Sequence, residues 1–146
     1  FKSGNPLGYP VKVKKKRMPH YTFVGGLIRD NNKILIQQRD ENMLNGMWEI
    51  PNKKVKSVKF IVKVLKNHIM DHYGLNITVE KQLGIINHSY SHFKIDIILM
   101  DCIKAGEIIK QNKRYKWIKK SEIVKYPFHK VNHKIFSILK NDYWAI

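Results

Sequence analysis

Tyr90, Ser91 and His92 form the most chemically versatile cluster in this sequence, and they stand between two runs typical of β-strands. A serine hydroxyl both donates and accepts hydrogen bonds, so Ser91 could pair with either kind of polar ligand edge. Tyr90 offers a flat ring for wedging or stacking against a base, and His92 could reach a phosphate or fix the loop. The same residues could also form an ordinary hairpin turn with two amphipathic rings. The residues alone favour the ordinary hairpin turn.

Two pairs of histidines have the spacing of metal ligands on one face of a helix. His68 and His72 are four residues apart, as are His129 and His133, and this spacing could hold zinc. A third ligand is not evident near either pair. Solvated or DNA-facing histidines are therefore the expected interpretation, and we predict no metal site in this chain.

The chain carries a large excess of positive charge. Of its 146 residues, 28 are Lys or Arg and 11 are Asp or Glu, which gives a formal net charge of +17. Such a charge favours a polyanionic partner. Nucleic acid is the leading candidate, and an anionic membrane surface is the second. A lysine-rich composition inherited from a genome poor in G and C is the alternative explanation.

Composition also limits the class of protein. Apolar residues make up 43% of the chain, enough for the core of one compact domain. The single cysteine, Cys102, excludes an internal disulfide framework, and its apolar surroundings in sequence predict a core position. No apolar stretch approaches the roughly 18 residues of a membrane span, and no signal peptide is evident. We therefore expect an intracellular protein, cytoplasmic or nucleoid-associated, with no membrane partner.

The hydrophobic pattern predicts an α/β (mixed α+β) fold, in which a mixed β-sheet is flanked by helices. Strands are predicted over residues 21–28, 33–38, 77–80, 84–88, 92–102 and 115–118. Asp30-Asn31-Asn32 predicts the hairpin turn after the first strand, and residues 39–56 are expected to form a loop.

Helices are predicted over residues 58–73, 121–125 and 130–141. Ser57 is expected to cap the first of them, and Gly74 is the residue expected just past its end. The side of this helix opposite the core is expected to carry Lys56, Lys59, Lys63 and Lys66.

Residues 1–20 are predicted to be a basic linker, because turn formers are followed there by a run of cations. The expected phosphate contacts in this linker are Lys12, Lys14, Lys15, Lys16 and Arg17. A solvated tail is the alternative. The first residue is Phe1, which suggests a fragment with a partner domain upstream, although processing would look the same.

Several motifs, in order and spacing, resemble the Nudix fold and, more narrowly, the C-terminal domain of the MutY-type adenine DNA glycosylases. The resemblance covers essentially the whole chain. Its motifs are Tyr9-Pro10-Val11-Lys12, Ile36-Gln37-Gln38-Arg39, Gly46-Met47-Trp48-Glu49-Ile50-Pro51, Ser89-Tyr90-Ser91-His92-Phe93, and Tyr126-Pro127-Phe128. It implies that residues 1–20 are an interdomain connector and that residues 21–146 are a Nudix-like lesion-recognition domain.

The resemblance breaks down where a Nudix hydrolase keeps its acidic signature. Counting back from Gly74-Leu75 places Lys53 and Lys59 at the first glycine and first glutamate of that signature. Asn67-His68 and Asp71-His72 fall at its Arg-Glu and Glu-Glu pairs. Hydrolysis of a nucleoside diphosphate linkage needs several hard oxygen ligands to hold Mg²⁺, and Asp71 alone cannot supply them. We therefore predict no catalytic residue in this chain.

The resemblance implies that the domain reads 8-oxoguanine opposite adenine in double-stranded DNA through Tyr90, Ser91 and His92. An upstream catalytic domain of the same polypeptide, carrying a 4Fe-4S cluster, would remove the adenine; no cofactor is expected in this chain, which would act as a monomer. Two alternatives remain open. One is a catalytically dead Nudix module that binds protein or nucleic acid, and the other is an atypical Nudix pyrophosphatase.

Overall fold

The computed structural model describes residues 18–38, 46–107 and 114–139. The strands are β1 (His20–Asp30), β2 (Lys33–Gln38), β3 (Trp48–Glu49), β4 (Asn52–Val55), β5 (Ile77–Ser89), β6 (Lys94–Lys104) and β7 (Tyr115–Lys119). The helices are α1 (Ile61–Tyr73), a 3₁₀ helix (Lys120–Lys125) and α2 (Lys130–Ser137). The predicted fold class, a mixed sheet flanked by helices, is confirmed.

The centre of the sheet is a parallel pair, β1 and β6, which run in register from His20–Lys94 to Arg29–Ile103. The strand order is β3-β2-β1-β6-β5, while β4 adds to β1 and β7 adds to β2. Both faces of β1 are buried from Val24 to Arg29, as expected for a strand covered on two sides.

Side chains of β1 alternate between two separate hydrophobic clusters, because successive residues of a strand point to opposite faces. Leu27 belongs to the cluster beneath α2, whereas Val24 and Ile28 belong to the cluster beneath α1. Cys102 lies in the α1 cluster, so its predicted core position is confirmed, and burial raises the pKa of its thiol to about 12.

Helix α1 begins later than the sequence predicts. Its N-cap is Phe60, in the left-handed conformation with φ 56, and the Ser57 side chain instead accepts the Lys59 amide. The expected four-lysine helix face is therefore wrong in part: Lys63 and Lys66 lie on α1, but Lys56 and Lys59 precede it. Gly74 ends the helix as predicted, with φ 65 and its N–H donated to the Met70 carbonyl.

Other boundaries also differ from the sequence-based expectations. The part of the expected loop that is described contains β3 and β4, because both hydrogen-bond to neighbouring strands. The strands expected at 77–80 and 84–88 are one strand, β5, which keeps its pairing with β6 through two register shifts. The segment expected as a short helix before Pro127 is the 3₁₀ helix. The connector cations from Lys12 to Arg17 lie outside the described residues.

Within the described residues, the helices are all too short or too polar to cross a membrane.

Candidate functional site

A cavity of about 50 Å³ lies between the sheet and the start of α2. Its walls combine apolar side chains with polar groups from three separate parts of the chain. The lining residues are Phe23, Glu49, Ile50, Asn52, Tyr90, Ile95, Ile97, His129, Val131 and Asn132. Glu49, His129 and Asn132 are all buried, so this is a polar site inside the protein.

The short strand β3 is held against the start of α2 by backbone hydrogen bonds. The Trp48 N–H donates to the Pro127 carbonyl at 2.8 Å, and Trp48 bridges to Phe128 in parallel. The Trp48 ring also meets the Tyr126 ring edge-on, with 5.2 Å between centroids. These contacts place Glu49 from one element and His129 from the other at the same cavity.

Two asparagines fix the peptide groups of Ile50, which forms one wall of the cavity. The side-chain oxygen of Asn132 accepts the Ile50 N–H at 3.0 Å, and the Asn52 amide donates to the Ile50 carbonyl at 2.8 Å. Asn132 is 2% exposed, so water cannot reach its side chain. The hydrogen bond with Ile50 takes the place of one with water. The backbone around the cavity is therefore held by side chains as well as by the sheet.

The Glu49 carboxylate is positioned by a partly buried chain of hydrogen bonds. It accepts a hydrogen bond from the Gln37 amide at 2.8 Å, and the Gln37 carbonyl oxygen accepts one from the Tyr73 hydroxyl. Burial, and then the nearby Glu49 charge, raise the pKa of Tyr73. The Tyr73 hydroxyl thus stays a hydrogen-bond donor, which keeps Gln37 oriented toward Glu49.

The predicted recognition residues form the hairpin between β5 and β6. Ser91 and His92 are the exposed turn residues, and the Tyr90 N–H closes the turn on the Phe93 carbonyl at 2.8 Å. The Tyr90 ring stacks on Phe93 with 4.7 Å between centroids, and the His88 ring meets it edge-on at 4.5 Å. Tyr90 is half-buried and lines the cavity, whereas Ser91 and His92 stand at the surface.

Two lysines of α2 make the side of this hairpin electropositive. The Lys134 ammonium donates to the Asn87 carbonyl at 3.0 Å. Partial burial, and then the charges of Lys134 and Lys130, lower the pKa of His88. An anion approaching the turn would therefore meet positive charge on the α2 side.

The signature positions, which run from β4 through the turn before α1 into α1 itself, do not fit a Mg²⁺ site. They carry Lys53, Lys59, His68, Asp71 and His72, so one carboxylate stands where Mg²⁺ would need several hard oxygen ligands. The His68 and His72 rings lie 4.8 Å apart, and no group of three His, Cys, Asp or Glu side chains able to hold a metal occurs in the described part of the chain. Burial, His72 and Lys53 lower the pKa of His68 to about 4.

Sequence reasoning missed the polar residues of the cavity. In the sequence, Glu49 stands out only as part of a motif, and His129 only as one of a pair with His133. Asn132 was not singled out, although it lies between Val131 and Ile135 on the buried side of α2. A polar residue on an apolar helix face was the available signal, but its partner, the Ile50 amide, is distant in sequence.

Comparisons with known proteins place this site in context. The chain is 27% identical over 124 residues to the 8-oxo-dGTP diphosphatase of Buchnera aphidicola subsp. Schizaphis graminum, a match that covers 84% of this chain and 95% of that protein.

Solved structures share the fold at lower sequence identity. The E. coli ORF135 protein matches with a TM-score of 0.69 at 19% identity, covering 83% of this chain and 89% of that one. The C-terminal domain of mouse MUTYH, solved in complex with human PCNA, matches with a TM-score of 0.68 at 16% identity, covering 86% and 91%. Because the model of the NUDIX domain family matches residues 23–137, which is most of the chain, this protein belongs to the Nudix family.

Proposed function

We propose that this Nudix domain recognises 8-oxoguanine and binds the oxidised base without hydrolysing a nucleotide. The observation that carries the proposal is the position of Tyr90, which lines the polar cavity and also begins the exposed turn of Ser91 and His92. The turn and the cavity therefore form one continuous region with hydrogen-bonding groups on two sides of an aromatic ring.

The chemistry of 8-oxoguanine suits these groups. Oxidation adds a carbonyl at C8 and turns N7 from an acceptor into an N–H donor, so a reader needs an acceptor where ordinary guanine would require a donor. The Ser91 hydroxyl can take either role.

The fuller proposal places the base in DNA, opposite adenine. The motifs shared with the MutY-type glycosylases and the structural likeness to the MUTYH domain support this setting. An upstream domain of the same polypeptide would flip out and cleave the adenine. This domain would hold the opposite strand as a monomer, with the connector cations from Lys12 to Arg17 on phosphates.

A nucleotide diphosphatase is the second candidate, and the sequence comparison supports it more directly. The Buchnera relative is named as an 8-oxo-dGTP diphosphatase and matches over nearly its full length. Against this candidate stands the donor set on α1 and just before it, where His68, His72 and Lys59 replace the expected carboxylates. Both candidates share 8-oxoguanine as the recognised group.

The test compares binding of the 146-residue chain to fluorescent duplexes that contain 8-oxoguanine or guanine opposite adenine. One hydrogen bond that only the oxidised base can make gives a preference of about five-fold or more. Ser91→Ala should reduce that preference while leaving affinity for the guanine duplex unchanged, and Ser121→Ala, on the 3₁₀ helix, is the matched control.

Two outcomes would contradict this proposal. Equal affinity for the two duplexes would show that the domain does not read the oxidised base in DNA. Release of pyrophosphate or phosphate from 8-oxo-dGTP in the presence of Mg²⁺ would replace the proposal with the diphosphatase candidate.

A further inference from the structure

We propose that residues 53–66, here called the basic segment, form a second nucleic-acid contact in which lysines hold backbone phosphates and Phe60 stacks on an unpaired base. The surface is separate from the Ser91 turn and would bind oxidised and ordinary strands equally. Its role therefore does not depend on recognition of 8-oxoguanine.

The charge of the basic segment is of one sign. After Glu49, the next acidic residue along the chain is Asp71. Between them the exposed lysines are Lys53, Lys54, Lys56, Lys59, Lys63 and Lys66. Exposed lysines this dense along one segment repel one another, and a chain of phosphates would relieve that repulsion.

Phe60 is placed in an unusual way at the centre of this segment. Its side chain is 77% exposed, and its backbone adopts φ 56 and ψ 30, a left-handed conformation that is unfavourable for a bulky residue. A phenylalanine side chain normally stabilises a protein by being buried, and the Phe60 side chain is not buried. An exposed ring in a strained backbone conformation instead points to a contact with a ligand.

The backbone of Phe60 is held at the start of α1, which suits a stacking platform. Its carbonyl accepts the Val64 N–H at 2.9 Å and so forms the first turn of α1, and Lys63 follows within that turn. Val58 and Val62, on either side, are 63% and 41% exposed and widen the apolar surface. An aromatic ring among lysines is the composition of single-strand binding sites, where bases stack and phosphates meet cations.

A single strand fits this surface better than an acidic protein segment. Carboxylates of a protein would pair with the lysines but would leave the ring of Phe60 unused. In a duplex the bases are already stacked on each other, so the ring would find no free face. A strand with unpaired bases uses both features.

The experiment measures fluorescence anisotropy of a labelled 12-nucleotide single strand of ordinary bases titrated with the full chain, in EDTA and low salt. Phe60→Asn removes the ring and keeps the conformation, because asparagine tolerates left-handed φ. Loss of one stacked base should weaken binding about five-fold or more. Val124→Asn is the matched control, since Val124 is 90% exposed outside the segment.

A second comparison tests the lysines. Replacing Lys56, Lys59 and Lys63 together with glutamine should weaken strand binding by at least ten-fold, about three phosphate contacts. In the control, glutamine replaces Lys33, Lys81 and Lys125, which are exposed outside the basic segment, so the same charge is removed. This control should weaken strand binding less.

The proposal is overturned if Phe60→Asn binds the strand as tightly as the original chain, or if the two lysine triples weaken binding equally. Poly-glutamate could instead compete with the strand at an affinity equal to that of the strand itself. If Phe60→Asn left that competition unaffected, the surface would be assigned to an acidic protein. The ratio of affinities for 8-oxoguanine and guanine duplexes should stay unchanged in Phe60→Asn, which separates this proposal from the proposed function.

Discussion

Several residues that line the cavity are fixed by their neighbours, as the proposed recognition site would require. Gln37 orients Glu49, Asn132 and Asn52 hold the peptide groups of Ile50, and Phe93 supports the ring of Tyr90. Rigid groups lose little entropy when a ligand binds. The peptide groups of Ile50 and the ring of Tyr90 are therefore held in place before any ligand binds.

The residue that best reports the altered signature is His68. It packs between α1 and β4, where it hydrogen-bonds to the Asn52 backbone and lies near Lys53. A glutamate at this position would serve a cation. A histidine that stays neutral among positive charges offers no negative charge to bind a cation. It is instead compatible with lysines and anions nearby.

We predict that His68 makes the protein less stable in mild acid. The pKa of His68 is lowered from 6.5 to about 4 by burial, His72 and Lys53. Above pH 6.5 it is neutral in both the folded and the unfolded state. Between pH 6.5 and 4 the unfolded chain takes up a proton that the folded chain resists, so stability falls as the pH falls. Allowing for solvent screening, the loss is about 1–2 kcal/mol.

Urea unfolding at pH 7.5 and pH 4.5 checks this prediction. His68→Gln should reduce the difference in unfolding free energy between the two pH values by that amount. An unchanged difference would show that His68 titrates normally in the folded protein.

At the scale of elements, α1 is set by its two ends. Phe60 begins it and Gly74 ends it, both in the left-handed conformation. The C-terminal end is the part of the helix that sequence alone predicts well, because glycine adopts positive φ at no steric cost.

Gly74→Ala should therefore destabilise the protein by about 1–2 kcal/mol, since alanine is strained at φ 65. The measurement is the free energy of unfolding in urea. Gly106→Ala is the control, because a Cβ there would come no closer than 4.0 Å to Asn76. If both variants lose the same stability, the left-handed conformation of Gly74 is not what ends the helix.

The elements that were predictable are those whose signals are local. The bounds of β2 and its turn at Asn31-Asn32 follow from alternation and turn chemistry, and Asn31 indeed has φ 57. The strands β3 and β4 are two and four residues long, too short for a periodic pattern, and exist because β2 and β1 offer them hydrogen bonds. Ser57 failed as a cap because its hydroxyl is used locally by Lys59.

The candidate site was predictable only in part, for the same reason. The Ser91 turn lies between strands that alternate clearly, so its place at a surface hairpin could be foreseen. The cavity joins Glu49 to Asn132, residues far apart in sequence, through the docking of β3 on α2. No local pattern contains that contact.

At the scale of the whole molecule, the net charge of +17 has two competing explanations: a polyanionic partner, or lysine-rich composition without a role. They differ in where the lysines matter. If composition alone explains the charge, removing any lysine should change nucleic-acid binding by a similar, small amount. If a binding surface explains it, removing the lysines of that surface should weaken binding, and removing others should not.

The salt dependence of binding to an ordinary duplex separates the two explanations. If about six phosphates are neutralised, log K should fall with log salt at a slope near −5. Removing the connector charges at Lys12, Lys14, Lys15, Lys16 and Arg17 should make that slope less steep by about 4, whereas glutamine at Lys33, Lys81 and Lys125 should leave it nearly unchanged. If the slope changes equally for each lysine removed, or if the starting slope is near zero, the net charge is explained by composition and not by a binding surface. A slope that depends on position would mean that the chain keeps its cations where a nucleic-acid backbone runs.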